Sequence, residues 1–432
     1  MGARSGSLTF TRFFTQGALP KDLRRRFLEA ARLRVFQPLK PDDDALEATG
    51  WCAMERPFDL ELDSAKIFHD SYVLLGFRVD RYRIPGVLLK SQIADEEQRL
   101  LSRSKKSKLS RNEKLEIKDR VVMRLRKKVL PSSKAFDVCW HLDSGTVLFF
   151  GHSKRTIADF CALFEKTFAL PLLEDSPYTA ATRAGLSREL ERALKAVEPV
   201  SFSSGRKRLG KAAPKMREGA KLEQPEPSRE PATEASESDD LLARIESTRF
   251  LGSEFLLWLW LRAELVNRPI PLGELGDYDV WLDNHLTLQS DIDPNERVTV
   301  RGAQPSGSAE AREAVRSQKF PVRARLALRN EERDFACVLV APRFAVASGA
   351  IPAVLTKETD DAFLERMTLV ERLSLSLDKL FAAFLADRLT ETWKIGWEPA
   401  IVCWAEDEAV PAEVLAELAP SKRAPRKKSK RD

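Results

Sequence analysis

The side chains that could do chemistry in this 432-residue chain are few, with only four histidines and five cysteines. Cys139, His141, His152 and Cys161 lie close together in sequence, and a zinc site needs four converging nitrogen or sulfur ligands. Their spacing matches no standard site. On an extended backbone Cys139 and His141 share a face with Asp137, opposite Phe136, Val138, Trp140 and Leu142, so they read as a half-buried strand. Gly205 to Lys211 has the Gly-x4-Gly-Lys spacing whose amides can cradle phosphates, but Ala212 stands where the Mg²⁺-binding hydroxyl belongs. The motifs His-Glu-x-x-His and Gly-x-Ser-x-Gly do not occur. Asp42, Asp43 and Asp44 fall in a polar stretch and read as solvated. The sequence therefore nominates no catalytic, cofactor-binding or metal-binding residue and no cofactor. A metal-dependent nuclease or other DNA-repair enzyme using dispersed carboxylates stays open as an alternative, as does an RNA-binding scaffold.

Charge carries more information. The net charge is +6, and the last twelve residues, SKRAPRKKSKRD, supply all of it through Lys422, Arg423, Arg426, Lys427, Lys428, Lys430 and Arg431 against one acid. In the otherwise neutral remainder, residues 102–128 hold Arg103, Lys105, Lys106, Lys108, Arg111, Lys114, Lys118, Arg120, Arg124, Arg126, Lys127 and Lys128 against Glu113, Glu116 and Asp119, a local +9. Three acids cannot neutralise twelve bases, and a polyanion is the expected partner. Along 117–130 the helical step of 100° places Ile117, Val121, Val122, Leu125 and Val129 on one face and Arg120, Arg124 and Lys127 on another. One side packs and the other is offered to phosphates.

The elements that must position these residues alternate in type. Residues 7–15 (SLTFTRFFT) predict a strand, 20–33 a helix, 67–84 one or two strands, and 136–150 a hairpin turning at Asp143-Ser144-Gly145. Between them, a long helical region begins at Pro85, breaks near 102–110, resumes at Arg111 and stops at Pro131. Residues 156–168 predict an amphipathic helix. The stretch 203–240 is nearly devoid of apolar residues, with a basic half and a proline-rich acidic half, and its composition is that of a linker or disordered insert. Beyond it, the FLGSEFLLWLW run is apolar on every side and predicts a buried helix. Residues 279–289 predict a hairpin turning at Asp283-Asn284, followed by strands at 297–301, 322–328 and 334–340. Residues 361–389 predict a long helix whose Phe363, Met367, Val370, Leu373, Leu377, Leu380 and Phe384 form a seam, either core or subunit interface.

The expected fold class is therefore mixed α/β: two α/β units with largely antiparallel sheets and long helices. The expected boundaries are an N-terminal domain at 1–200, a charged linker at 201–247, a C-terminal domain at 248–410 and a basic disordered tail at 411–432. The longest apolar runs have seven residues, too few to span a bilayer. The N-terminus has no apolar stretch of signal-peptide type, and the scattered, odd-numbered cysteines suit reduced thiols, so a cytoplasmic location is expected.

The order of residues also carries a resemblance. The run LLKSQIADEEQRL followed by KLSRNEKLEIKDRVVMRLRKKVLPSSKAFDVCWHLDSGTVLFFG, preceded by Gly50-Trp51 and followed by a helix into ALPLL, resembles the recombination-associated protein RdgC family. FLGSEFLLWLW followed by VWLDNHLTL is similar to a divergent branch of it. The resemblance spans about 5–175 and 248–400. It implies a non-enzymatic, nucleoid-associated protein that binds double-stranded DNA without sequence preference. It further implies an antiparallel homodimer closing into a ring around the duplex and limiting access of the recombinase RecA. Gly50, Trp51, Leu130, Pro131 and Trp140 are matched positions of structural type, and the basic run is carried over only as a region. The insert at 203–240 and the tail after Pro420 depart from the family pattern.

Overall fold

Two strands, Tyr72–Arg81 and Ser132–His141, pair antiparallel through ten successive positions without a bulge, from Tyr72 opposite His141 to Arg81 opposite Ser132. Everything between them leaves the sheet from one end of that ladder and returns to it. In this computed structural model, which describes residues 2–40, 45–104, 107–200, 234–302 and 305–418, the chain is mixed α/β and divides into two compact units, 1–173 and 174–432. The division falls earlier than the boundary at 200 read from composition. The helices Pro177–Arg183 and Arg188–Lys195 thus group with the second unit.

The first unit contains β1 (Leu8–Thr15), α1 (Leu23–Leu33), β2 (Glu47–Cys52), α2 (Ser64–Ile67), β3 (Phe68–His69), β4 (Tyr72–Arg81), α3 (Gly86–Ser104), α4 (Arg111–Arg126), β5 (Ser132–His141), β6 (Thr146–Phe149) and α5 (Lys154–Phe168). Its sheet runs β1-β6-β5-β4-β2, antiparallel throughout, with β3 as a short partner of β4. Nine of the ten β4 residues are buried, as the continuous run of a central strand requires. α1 and α5 cover one face, and their phenylalanines meet the sheet aromatics: Phe160 stacks on Phe149 at 4.4 Å and Phe27 on Trp140 at 4.9 Å. Trp51 is fully buried, and its indole Nε1 donates to Thr167 Oγ1 at 2.9 Å. Beside it, a Cβ on Gly50 would sit 2.3 Å from the Phe36 Cα, so only glycine fits this backbone approach. Leu130, matched in the resemblance as a position of structural type, is 89% exposed.

A short strand β7 (Leu172–Glu174) lies at the division. The second unit comprises α6 (Pro177–Arg183), α7 (Arg188–Lys195), α8 (Glu234–Ser247), α9 (Phe250–Leu261), β8 (Ile270–Pro271), β9 (Asp277–Ser290), β10 (Arg297–Arg301), α10 (Ala309–Arg316), β11 (Lys319–Arg329), β12 (Asp334–Val340), β13 (Ala345–Ala350), α11 (Thr359–Arg388), α12 (Glu398–Ala405) and α13 (Ala412–Leu418). Its sheet is the antiparallel series β10-β9-β11-β12-β13. Eleven of the twelve α9 residues are buried, as its all-round apolarity predicts. The hairpin expected at Asp283-Asn284 does not form. β9 is one 14-residue strand, and Asn284, at φ 49°, is absorbed as an irregularity in its pairing with β11. An Asn in the left-handed region marks a bulge as readily as a turn when both flanks have partners, and here β10 and β11 supply them. The stretches expected as a linker, 201–247, and a disordered tail, 411–432, each contain a helix: α8 starts three residues past Pro231, with Asp240 paired to Arg244 at 3.0 Å, and α13 lies near the start of the second. The remaining linker residues, 201–233, including the Gly-x4-Gly-Lys stretch, and the Asp42–Asp44 stretch lie outside the described residues.

The α11 seam is core. All seven of its residues are at most 3% exposed, and the Phe384 ring meets Phe255, Trp258 and Trp393. A dimer would have to use another surface. Beneath it, Asp387 accepts from the indoles of both Trp258 and Trp397 at 2.9 Å, while Glu264 accepts from those of Trp260 and Trp404 at 2.7 Å.

Candidate nucleic-acid interface

The excursion between β4 and β5 is a helical hairpin. Pro85 precedes the first turn of α3 and accepts from Leu89 N at 3.0 Å, a position where its missing N–H costs nothing. α4 starts at a capping box: Ser110 Oγ accepts from Glu113 N at 3.3 Å and Glu113 Oε2 accepts from Ser110 N at 2.8 Å. It ends at Arg126, one turn short of Pro131, which leaves Lys127 and Lys128 in a turn. Ile117, Val121 and Leu125 are buried against Ile84, Leu89, Ile93, Leu100 and Leu109, a small core separate from that of the sheet. No α3 residue is fully buried. Ser110→Ala is expected to cost about 1 kcal/mol of α4 stability, seen as faster amide exchange at Glu113 than in the unaltered protein.

Around this core the bases sort into two kinds. Arg124 is part of the scaffold: its Nη1 reaches Glu96 Oε1 at 2.6 Å and its Nη2 reaches Gln92 Oε1 at 3.1 Å, tying α4 to α3. That hydrogen-bonded guanidinium holds the Glu96 carboxyl below its usual range. Arg126 is 6% exposed, with its guanidinium 5.9 Å from the Tyr82 ring. By contrast Arg103, Lys108, Arg111, Lys114, Lys118, Arg120, Lys127 and Lys128 are exposed. On the helical wheel Arg111 and Lys118 flank the packed stripe on one side, and Arg120 and Lys127 on the other. The charge therefore surrounds the hairpin instead of occupying a single face. Lys105, Lys106 and the seven tail bases, Lys422, Arg423, Arg426, Lys427, Lys428, Lys430 and Arg431, lie outside the described residues.

A second basic cluster escaped the sequence reading. In the second unit Arg301 lies opposite His285 in the β9–β10 ladder, and Arg323 opposite Thr287 in the β9–β11 ladder. Burial, then Arg323, Arg301 and Arg297, push the His285 imidazole below its usual pKa, so it adds no charge of its own near neutral pH. Arg297 and Arg301 are exposed, whereas the neighbouring Arg325 faces Asp283 at 3.6 Å. The arginines come from two strands, β10 and β11, that flank β9, so no run of sequence announces them. Period-two alternation in RVTVR and VRARLALR was the available signal.

The Cys–His group does not converge. Cys139 is 1% exposed, and burial drives its thiol well above the ordinary pKa. Its strand face, expected to be half-buried, is covered by the N-terminal residues: Asp137 Oδ2 accepts from Ala3 N at 2.8 Å. His141 Nδ1 lies 2.8 Å from Ser144 Oγ. Among the described residues no group of His, Cys, Asp or Glu is arranged to hold a metal ion, and no helix is long and apolar enough to cross a membrane. No protein-family model matches the chain, and no curated protein matches it significantly.

Proposed function

We propose that this chain is a sequence-independent double-stranded DNA-binding protein whose α3–α4 hairpin meets the phosphate backbone. The observation that carries the reading is the set of eight exposed bases on a hairpin with its own core, which fixes charge in space without burying it. The Arg297–Arg301–Arg323 cluster supports it with a second cationic surface. Sequence indifference is part of the reading because lysine and arginine on phosphates carry no sequence information. The RdgC resemblance extends the proposal: a cytoplasmic, nucleoid-associated homodimer that encloses duplex DNA, restrains RecA and so modulates homologous recombination.

A salt challenge on closed circular and linearised plasmid tests both levels. Neutralising on the order of six phosphates lowers affinity for linear duplex by roughly a thousandfold between 50 and 200 mM salt. Enclosure makes release from the circle slower than from the line. A shallow salt slope removes the DNA-binding reading, and equal release from both forms removes the ring.

A further inference from the structure

The root of the hairpin holds a cleft that the sequence did not announce. It occupies about 460 Å³, and its basic walls come from Arg81 and Arg83, at the exit of β4, and Lys134, on the returning β5. No carboxylate lines it. Arg81 is already paired, with Glu47 and, at 3.4 Å, with Asp159. Arg83 and Lys134 are exposed and have no ion pair among the described residues.

The far wall is the start of α5. Ser153 is the N-cap, yet its side chain accepts no cap hydrogen bond, so the first-turn amides keep their donors free of a side-chain acceptor. Thr156, in that same turn, lines the cleft. It is only 8% exposed, and its hydroxyl makes no hydrogen bond among the described residues. The oxygen itself stays open to the cleft, where it can donate to a ligand. The loop leading to it is fixed in place: Thr11 Oγ1 donates to Gly151 O at 2.8 Å and Phe150 N to Asp137 O at 2.9 Å. Helix-terminal amides, a hydroxyl donor open to the cleft and two uncompensated cations are together the recognition set of a phosphate group.

We infer that this cleft is a phosphate-binding site, and, resting on the DNA-binding reading above, that its occupant is a backbone phosphate of the duplex held by the hairpin. The anchor would fix the duplex against the rigid end of the β4–β5 ladder, where the hairpin alone would leave it free to pivot. A free nucleotide offers the same chemistry, and the test separates the two sources.

The full chain and two variants, Thr156→Val and Arg83→Ala/Lys134→Ala, are compared for a 30-base-pair duplex across salt and for deoxyadenosine monophosphate by calorimetry. Thr156→Val keeps the shape of the side chain and loses only the hydroxyl. The expected result is three- to tenfold weaker duplex binding for Thr156→Val at unchanged melting temperature. For the double variant the expected fall in the magnitude of the salt slope is about one to two. Duplex binding and slope equal to the unaltered protein in both variants overturn the inference while leaving the hairpin reading intact. If the unaltered protein binds no duplex, the DNA reading fails. Nucleotide binding weakened by Thr156→Val then upholds the cleft with a free phosphate as its occupant, and unaltered or absent nucleotide binding overturns it.

Discussion

Charge reversal of Lys118, Arg120 and Lys127 to Glu is expected to weaken duplex binding about a hundredfold or more at moderate salt and to flatten the salt dependence by about three in slope. All three side chains are exposed, and two of them lie across the packed stripe from the third. Arg124, which periodicity placed with Arg120 and Lys127, belongs instead to the scaffold. A glutamate there would face Glu96 in place of the guanidinium now 2.6 Å from it, and any loss of binding would be confounded with loosening of the hairpin. Deleting 421–432 should weaken binding less, because hairpin bases have fixed geometry. Equilibrium binding by fluorescence anisotropy ranks the two. A larger loss on tail deletion would make the tail the principal site, and no loss on reversal, with unchanged circular dichroism, would remove the hairpin from the interface.

Arg388→Met is expected to destabilise the protein by about 3–5 kcal/mol, the usual consequence of leaving one member of a buried ion pair behind. Glu254 is 2% exposed and Arg388 9%, with Arg388 Nε donating to Glu254 Oε2 at 2.6 Å. The same pair fastens the chain before the insert: Arg388 Nη2 donates to Glu198 O at 2.6 Å and Val200 N to Glu254 Oε1 at 2.9 Å. Burial pushes the Glu254 carboxyl above its ordinary value even with its partner present. The native state then binds a proton at a higher pH than the unfolded chain does. Stability of the variant should therefore rise as pH falls from neutral toward the ordinary glutamate pKa near 4.5, and level off below it. Urea melts at several pH values check both the loss and its direction. Adding Glu254→Gln should recover much of the loss near neutral pH. A variant as stable as the unaltered protein would mean that the guanidinium is replaceable by packing alone.

What the sequence made legible follows from how local each signal is. The α4 stripe, the helix start at Arg111 and the aromatic strands around Phe77 and Trp140 are read from neighbours a few residues apart, and the elements formed where those patterns lay. β13 was missed because AVASGA holds no bulky β-branched or aromatic pattern beyond one valine; its strand state comes from pairing with β12. α10 is eight residues long, capped by Ser308 Oγ accepting from Ala311 N at 3.1 Å, and is too short for periodicity to reveal. The α11 seam was legible as an apolar face, but whether a face meets its own chain or a second copy is a question of tertiary packing. At the candidate interface the basic run was plain, yet the separation of Arg124 from Lys118 and Arg120 depends on Glu96, 28 residues away. The cleft is still less local, since it joins β4, β5 and the start of α5.

The separate core of the α3–α4 hairpin bears on how the molecule moves. A segment whose apolar contacts are mostly its own can open without disturbing the rest, because the energy that closes it is not shared with the sheet. With only three buried apolar side chains in that core, the energy is a small fraction of what holds the β4–β5 ladder. The cationic segment is therefore expected to unfold and refold many times within the lifetime of the folded domain. A polyanion that grips both helices would draw on that reserve, so that binding is felt first as a slowing of local opening.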